Sequence, residues 1–218
     1  MNEQIFPSIL DASPDKLLNL FKIFQQNNLK GLHIDIMDGN YVPSYGFNDR
    51  FVKWIHTNTN FYQDIHLMVV NSENAVPNFI KAHADSITIH LNTTTDLYYL
   101  IDYLNKNGIN SGVALNPGES PYLLESVLPM LHHVLVMTIC PGRPAQKIAE
   151  NAVNKIKWLD NFRKNHNLNY RIEVDGGINA NNIAELFNAG CNDFVSGGFI
   201  INSNHPDTDI KTLQQLIK

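Results

Sequence analysis

Three short segments of the 218-residue chain set polar, ionisable side chains two positions apart: His33-Ile34-Asp35-Ile36-Met37, Asp64-Ile65-His66-Leu67-Met68 and Glu173-Val174-Asp175. In an extended strand alternate side chains share a face, so His33, Asp35 and Met37 project together, as do Asp64, His66 and Met68, and Glu173 with Asp175. A parallel strand is normally apolar on both faces, and charge placed there is costly unless those groups bind something. If the three strands bring their carboxyl ends to one place, His33, Asp35, His66 and Asp175 supply two imidazoles and two carboxylates. That donor set suits one divalent transition ion, Zn2+ first, with Mn2+, Fe2+ or Co2+ as competitors that the ligand types alone do not exclude. The competing account of any one of these histidines is a hydrogen-bonded core residue.

The elements that must position these groups follow from the alternation of short apolar runs with segments of helical spacing, the βαβ pattern of a parallel sheet. The pattern predicts strands over 4–10, 31–35, 62–68, 86–90, 111–115, 133–137, 170–175 and 193–196. Helices are predicted over 14–27, 49–56, 75–82, 96–107, 122–131, 147–165, 180–189 and 207–217. Ser13 before Pro14 reads as an N-cap, and Gly31, Gly108 and Gly190 fall where helices should stop. The architecture expected is α/β, a single (β/α)8 TIM barrel occupying residues 1–218, with an active site at the carboxyl ends of its strands. An open doubly wound sheet is the rival, but the GxGxxG turn that usually follows its first strand is absent. Phosphate-binding barrels use backbone amides after strands seven and eight, where Gly176-Gly177 and Gly197-Gly198 stand; the alternative is that these are ordinary turn glycines.

Composition narrows the partners. Hydrophobic residues are 44% and charged residues 17%, values of a chain that folds around a packed core. A net charge of -5 and a pI near 5.9 argue against nucleic acid or an anionic membrane as partner and leave a small molecule. No run approaches a membrane span, and the start Met1-Asn2-Glu3-Gln4-Ile5 lacks the regions of a signal peptide, so the expected location is the cytoplasm. Cys140 and Cys191 form neither a disulfide framework nor a CxxC pair, and packing is expected of both.

Taken in order, Pro7-Ser8-Ile9-Leu10, His33-Ile34-Asp35-Ile36-Met37-Asp38-Gly39, Asp64-Ile65-His66-Leu67-Met68 and Glu173-Val174-Asp175-Gly176-Gly177 resemble the signature segments of ribulose-phosphate 3-epimerases. Val42-Pro43, Val113-Ala114-Leu115-Asn116-Pro117 and Val136-Met137 extend the resemblance over nearly the whole chain. The resemblance implies that His33, Asp35, His66 and Asp175 are the metal ligands and that Asp35 and Asp175 are also the acid/base pair. It implies that Ser8 contacts substrate and that Met37, Met68 and Met137 line the pocket; the alternative for these methionines is plain barrel core. The implied reaction inverts C3 of a ketose phosphate, D-ribulose 5-phosphate to D-xylulose 5-phosphate, through a metal-stabilised enediolate. D-allulose 6-phosphate is the nearest alternative substrate, and a homo-oligomer is implied.

The clearest departure follows strand six, where the family has a closing loop like Pro-Gly-Phe-Gly-Gly-Gln and this chain has Pro141-Gly142-Arg143-Pro144-Ala145-Gln146. Gly142 keeps the family's place at the substrate. Pro144 has no N-H to offer, and replacing glycine restricts the backbone. Arg143 could offer a charged fork to the phosphate, with Lys147 adding positive charge, or could simply be solvated. His90 stands at the end of strand four without the acidic residue that often follows two positions later, and is left outside the catalytic set. Two rival functions remain: a decarboxylase of the orotidine-phosphate type, whose Asp-x-Lys-x-x-Asp arrangement is missing, and a low-activity or noncatalytic sugar-phosphate-binding paralogue.

Overall fold

The computed structural model describes residues 3–143 and 146–218, with eight parallel strands: β1 (Gln4–Pro7), β2 (Gly31–Met37), β3 (Tyr62–Met68), β4 (Ser86–His90), β5 (Asn110–Leu115), β6 (His133–Met137), β7 (Arg171–Asp175) and β8 (Asp193–Ser196). They pair in the order β1-β8-β7-β6-β5-β4-β3-β2, and the seam between β1 and β2 is drawn together by a bridge between Ser8 and His33, with Ile9 N-H reaching the His33 carbonyl at 3.4 Å. The result is a nearly closed barrel. Around it run α1 (Pro14–Gln26), α2 (Asp49–Asn58), α3 (Ser72–Lys81), α4 (Leu97–Lys106), α5 (Ala152–His166), α6 (Ile183–Asn188), the short α7 (Gly198–Ile201) and α8 (Pro206–Leu216).

The alternation in sequence separates two interiors. Outward-facing strand residues such as Leu32, Ile34, Ile65, Leu67, Ile87, Ile89, Val134 and Val174 are fully buried in one apolar core with the helices, to which α1 contributes Leu17, Leu20, Phe21 and Phe24 at helical spacing. Inward-facing residues are largely polar: His33, Asp35, Asp64, His66, Thr88, His90, His133 and Glu173 are all buried. A small apolar layer of Ala114, Leu135 and Met137 interrupts them, and Met37 and Met68 form another with Val42. Gly112 leaves room in the lumen for the His133 ring and the Thr88 hydroxyl, which a side chain there would overlap.

Several sequence expectations are corrected. The helix expected over 122–131 is instead two short 3-10 turns, Pro121–Leu124 and Leu128–Met130. Pro129 has no N-H for an i-4 carbonyl, and Val127, Met130 and Leu131 make i-3 bonds instead. Strand β1 is shorter than 4–10 and β2 runs on to Met37; α3 begins at Ser72, where Asn71 caps it by accepting from Asn74 N-H at 2.9 Å. α5 starts at Ala152 rather than 147, and α7 was not expected. Ser13 makes no side-chain cap bond. Gly31 is not a helix stop: Asn28 takes the left-handed turn after α1, while Gly31 opens β2 against the Phe6 ring. Gly108 and Gly190 do have the positive φ of helix stops, at 75° and 111°. No described helix is long and apolar enough to cross a membrane.

Candidate metal centre and active site

The register between β2 and β3 sets His33 beside Asp64, Asp35 beside His66 and Met37 beside Met68. Asp175 ends β7 beside Met137 of β6. The barrel's curvature therefore brings β2, β3 and β7 residues to one point: one donor atom from each of His33, Asp35, His66 and Asp175 lies within 4.8 Å of all the others. His33 Nε2 and His66 Nδ1 are each 3.4 Å from Asp35 Oδ1, and His66 Nδ1 is 3.9 Å from Asp175 Oδ2. Ligands about 2.0–2.1 Å from a tetrahedral ion stand about 3.4 Å apart, so this spacing leaves room for one ion among the four. His33 Nε2 and His66 Nδ1 are buried and have no hydrogen-bond partner among the described residues, as lone pairs aimed at an ion would be.

The outer ring nitrogens are engaged. His33 Nδ1 meets Asp64 Oδ2 at 2.6 Å, the carboxylate-histidine arrangement that orients a metal-binding imidazole. His66 Nε2 meets His90 Nε2 at 2.9 Å. Ser8 Oγ donates to Asp35 Oδ2 at 2.7 Å, fixing the carboxylate and leaving Oδ1 toward the histidines.

The four groups are poised unequally. Burial opposes charge on His33, but Asp35 and Asp64 hold its pKa well above the usual imidazole value. Burial likewise opposes charge on Asp35, yet His33 and His66 hold it far below the usual carboxylate range. Asp175 goes the other way, to about 6, driven by burial and by the charges of Asp35 and Asp64 against the pull of His33 and His66. A divalent cation would move the set toward neutral imidazoles and ionised carboxylates. Two carboxylates with pKa values pushed apart are the arrangement from which acid and base roles arise.

A cavity of about 470 Å3 opens above these groups at the carboxyl ends of the strands. Ser8, Asp35 and Asp175 reach it, and His33 and His66 lie buried beneath. Met37, Met68 and Met137 line its wall. Gly176, Gly177, Gly197 and Gly198 form one rim. The first two turn with φ of 117° and 67°; Thr138 Oγ donates to the Gly176 carbonyl, and Asn179 and Asn182 donate to the Gly177 carbonyl at 2.8 and 2.9 Å. The N-H groups of Gly177, Gly197 and Gly198 make no hydrogen bond to the described residues, so the rim presents free amides.

Gly142, with φ of 67°, and Arg143 line the opposite rim. Gly142 packs on Val42 so closely that a side chain would not fit, and Gln146 ties the loop by donating to the Cys140 and Arg143 carbonyls at 2.8 and 2.7 Å. Pro144 and Ala145, on which the departure from the closing-loop pattern partly rested, lie outside the described residues. Lys147 does not line the cavity. Cys140 is exposed rather than packed, because it sits on this loop beyond the end of β6; Cys191 is buried as expected. Leu10, Asp11, Ser44, Tyr45 and Ile139 also line the cavity, and nothing in their spacing signalled it.

Comparison with known proteins identifies the family. The family model described as "Ribulose-phosphate 3 epimerase family" matches residues 4–201. The chain is 34% identical over 212 residues to the chloroplastic ribulose-5-phosphate-3-epimerase of Arabidopsis thaliana, covering 96% of this chain and 75% of that protein. It is 32% identical to the ribulose-phosphate 3-epimerase of Bacillus subtilis (strain 168), covering 90% and 91%. Among solved structures, the 3-hexulose-6-phosphate synthase of Salmonella typhimurium superposes with a TM-score of 0.75 over 98% of each chain at 12% identity, a likeness of fold.

Proposed function

The chain belongs to the ribulose-phosphate 3 epimerase family, and from that premise we propose that it inverts C3 of a ketose phosphate, with D-ribulose 5-phosphate and D-xylulose 5-phosphate as the pair interconverted. The observation that carries the reading is the placement of Asp35 and Asp175 on β2 and β7, on either side of one cavity, beside two histidines whose free nitrogens converge with them. Epimerisation next to a ketone needs a base on one face of the planar enediolate and an acid on the other. Asp35, held by Ser8, takes the C3 proton; Asp175, which also lines the cavity, returns one to the opposite face. In the reverse direction the two exchange roles.

His33, Asp35, His66 and Asp175 would hold the divalent ion, Zn2+ by donor type and tetrahedral spacing. Such an ion supplies charge stabilisation at the ketone and neighbouring hydroxyl oxygens as negative charge develops there. Met37, Met68 and Met137 give the enediolate a polarizable wall without protons to donate. The glycine amides cradle the phosphate from one rim, and Arg143 meets it from the other.

Product analysis tests the reading. Purified protein supplied in turn with Zn2+, Mn2+, Fe2+ or Co2+ should convert D-ribulose 5-phosphate to D-xylulose 5-phosphate, and a chelator should abolish the conversion. Faster turnover of D-allulose 6-phosphate would reassign the substrate, and binding without conversion of either sugar would mark a noncatalytic relative.

A further inference from the structure

We propose that His90, at the end of β4, is a positioning residue that fixes the ring tautomer of His66 and thereby presents the His66 Nδ1 lone pair to the ion. This rests on the metal centre proposed above. His66 Nε2 and His90 Nε2 are 2.9 Å apart, and one proton must lie between them. A neutral imidazole carries a single N-H, and a nitrogen that binds an ion carries none. With Nδ1 of His66 facing Asp35 Oδ1 at 3.4 Å and Asp175 Oδ2 at 3.9 Å, the His66 proton belongs on Nε2, and His90 Nε2 must accept it. The opposite assignment, His90 donating, puts the proton of His66 on Nδ1, where it points into the ligand set and blocks the ion.

His90 is fully buried. Among the described residues its Nδ1 has no hydrogen-bond partner, and the bond to His66 is the one its side chain makes. The rings of His66 and His90 overlap with centroids 4.9 Å apart, and the Tyr41 ring packs on His90 at 4.8 Å. Tyr41 is itself held at both sides: its O-H donates to Asn92 Oδ1 at 3.0 Å and accepts from Asn116 Nδ2 at 2.9 Å. Asn92 after β4 and Asn116 after β5 thus hold the Tyr41 ring that packs on this imidazole.

The two metal-facing histidines therefore have different outer partners. His33 has the carboxylate of Asp64, which strengthens its donor atom and adds negative charge; His66 has a neutral ring, which orients it and adds none.

Metal-stripped protein titrated with Co2+, read by its visible absorption and by chelator competition, tests the proposal. His90→Leu and His90→Asn both lose an acceptor that reaches His66, whereas His90→Gln keeps an oxygen for it. The expected result is Co2+ affinity lower by about 10- to 100-fold in His90→Leu and His90→Asn, with shifted absorption bands. His90→Gln should restore most of the affinity, and kcat should fall in the two weak binders while KM for the ketose phosphate holds. Unaltered Co2+ affinity and spectrum in His90→Leu and His90→Asn overturn this inference alone; wild-type protein that binds no Co2+ overturns the metal centre and this inference with it.

Discussion

At the scale of single residues, the candidate site divides into groups that spacing reveals and groups that only packing reveals. His33, Asp35, His66 and Asp175 are legible because a period of two on an otherwise apolar strand leaves few other reasons for an ionisable side chain. His90 was not, because its relation to His66 crosses from β4 to β3 and no sequence interval encodes that contact. Asp64 shared a face with His66 in the sequence pattern, but its pairing with His33 depends on the register of β2 against β3. Arg143 is exposed on its loop and sits at the cavity rim, so its worth is a matter of charge offered to a phosphate. Arg143→Ala should raise KM for the phosphosugar and leave kcat within a few-fold; steady-state kinetics with an unchanged KM would remove the residue from the phosphate site.

At the scale of elements, β2 shows how one strand serves two interiors. Ile34 points outward into the helix-packed core and is fully buried, while Asp35 beside it points inward to the site. Ile34→Ala should therefore cost about 2–5 kcal/mol in a denaturant titration and leave metal affinity unchanged. Asp64→Asn, inward on the neighbouring strand, should weaken metal affinity by about 10- to 100-fold, read by chelator competition. Either variant giving the other's result would break the alternation argument. The same alternation is why all eight strands could be placed from sequence. The segment after β5 could not: its apolar spacing suits a helix, and Pro129 overrides that spacing by removing an N-H in the middle of it. The four-residue α7 was too short for periodicity to register.

At the scale of the whole molecule, buried ionisable side chains share the lumen with small apolar clusters, and acid should test the fold through them. A larger cavity of about 700 Å3 lies at the amino ends of the strands, but it lacks the paired glycine turns of the opposite mouth, and barrels of this kind act at the carboxyl ends. His133, on the floor of the lumen, is bonded to Thr88 Oγ at 2.5 Å, and burial depresses its pKa to about 4 against the attraction of Asp64. The unfolded chain takes up that proton near the ordinary value of 6.5, so stability contributed by keeping His133 neutral is present above that pH and is lost as the pH falls toward 4. The loss is on the order of 3 kcal/mol. In denaturant titrations across this range, His133→Gln should lose less stability on acidification than the wild type; parallel curves would contradict the assignment.

The central claim is that Asp35 and Asp175 work from opposite faces of C3 in a metal-dependent site, and proton exchange at that carbon tests it most directly. Metal-loaded protein in deuterated water should place solvent deuterium at C3 of the D-xylulose 5-phosphate formed from D-ribulose 5-phosphate. Asp175→Asn should fold as the wild type does and lose turnover by about 10²- to 10⁴-fold. Absence of exchange with every divalent metal tried, or near-native turnover by a folded Asp175→Asn protein, would contradict it.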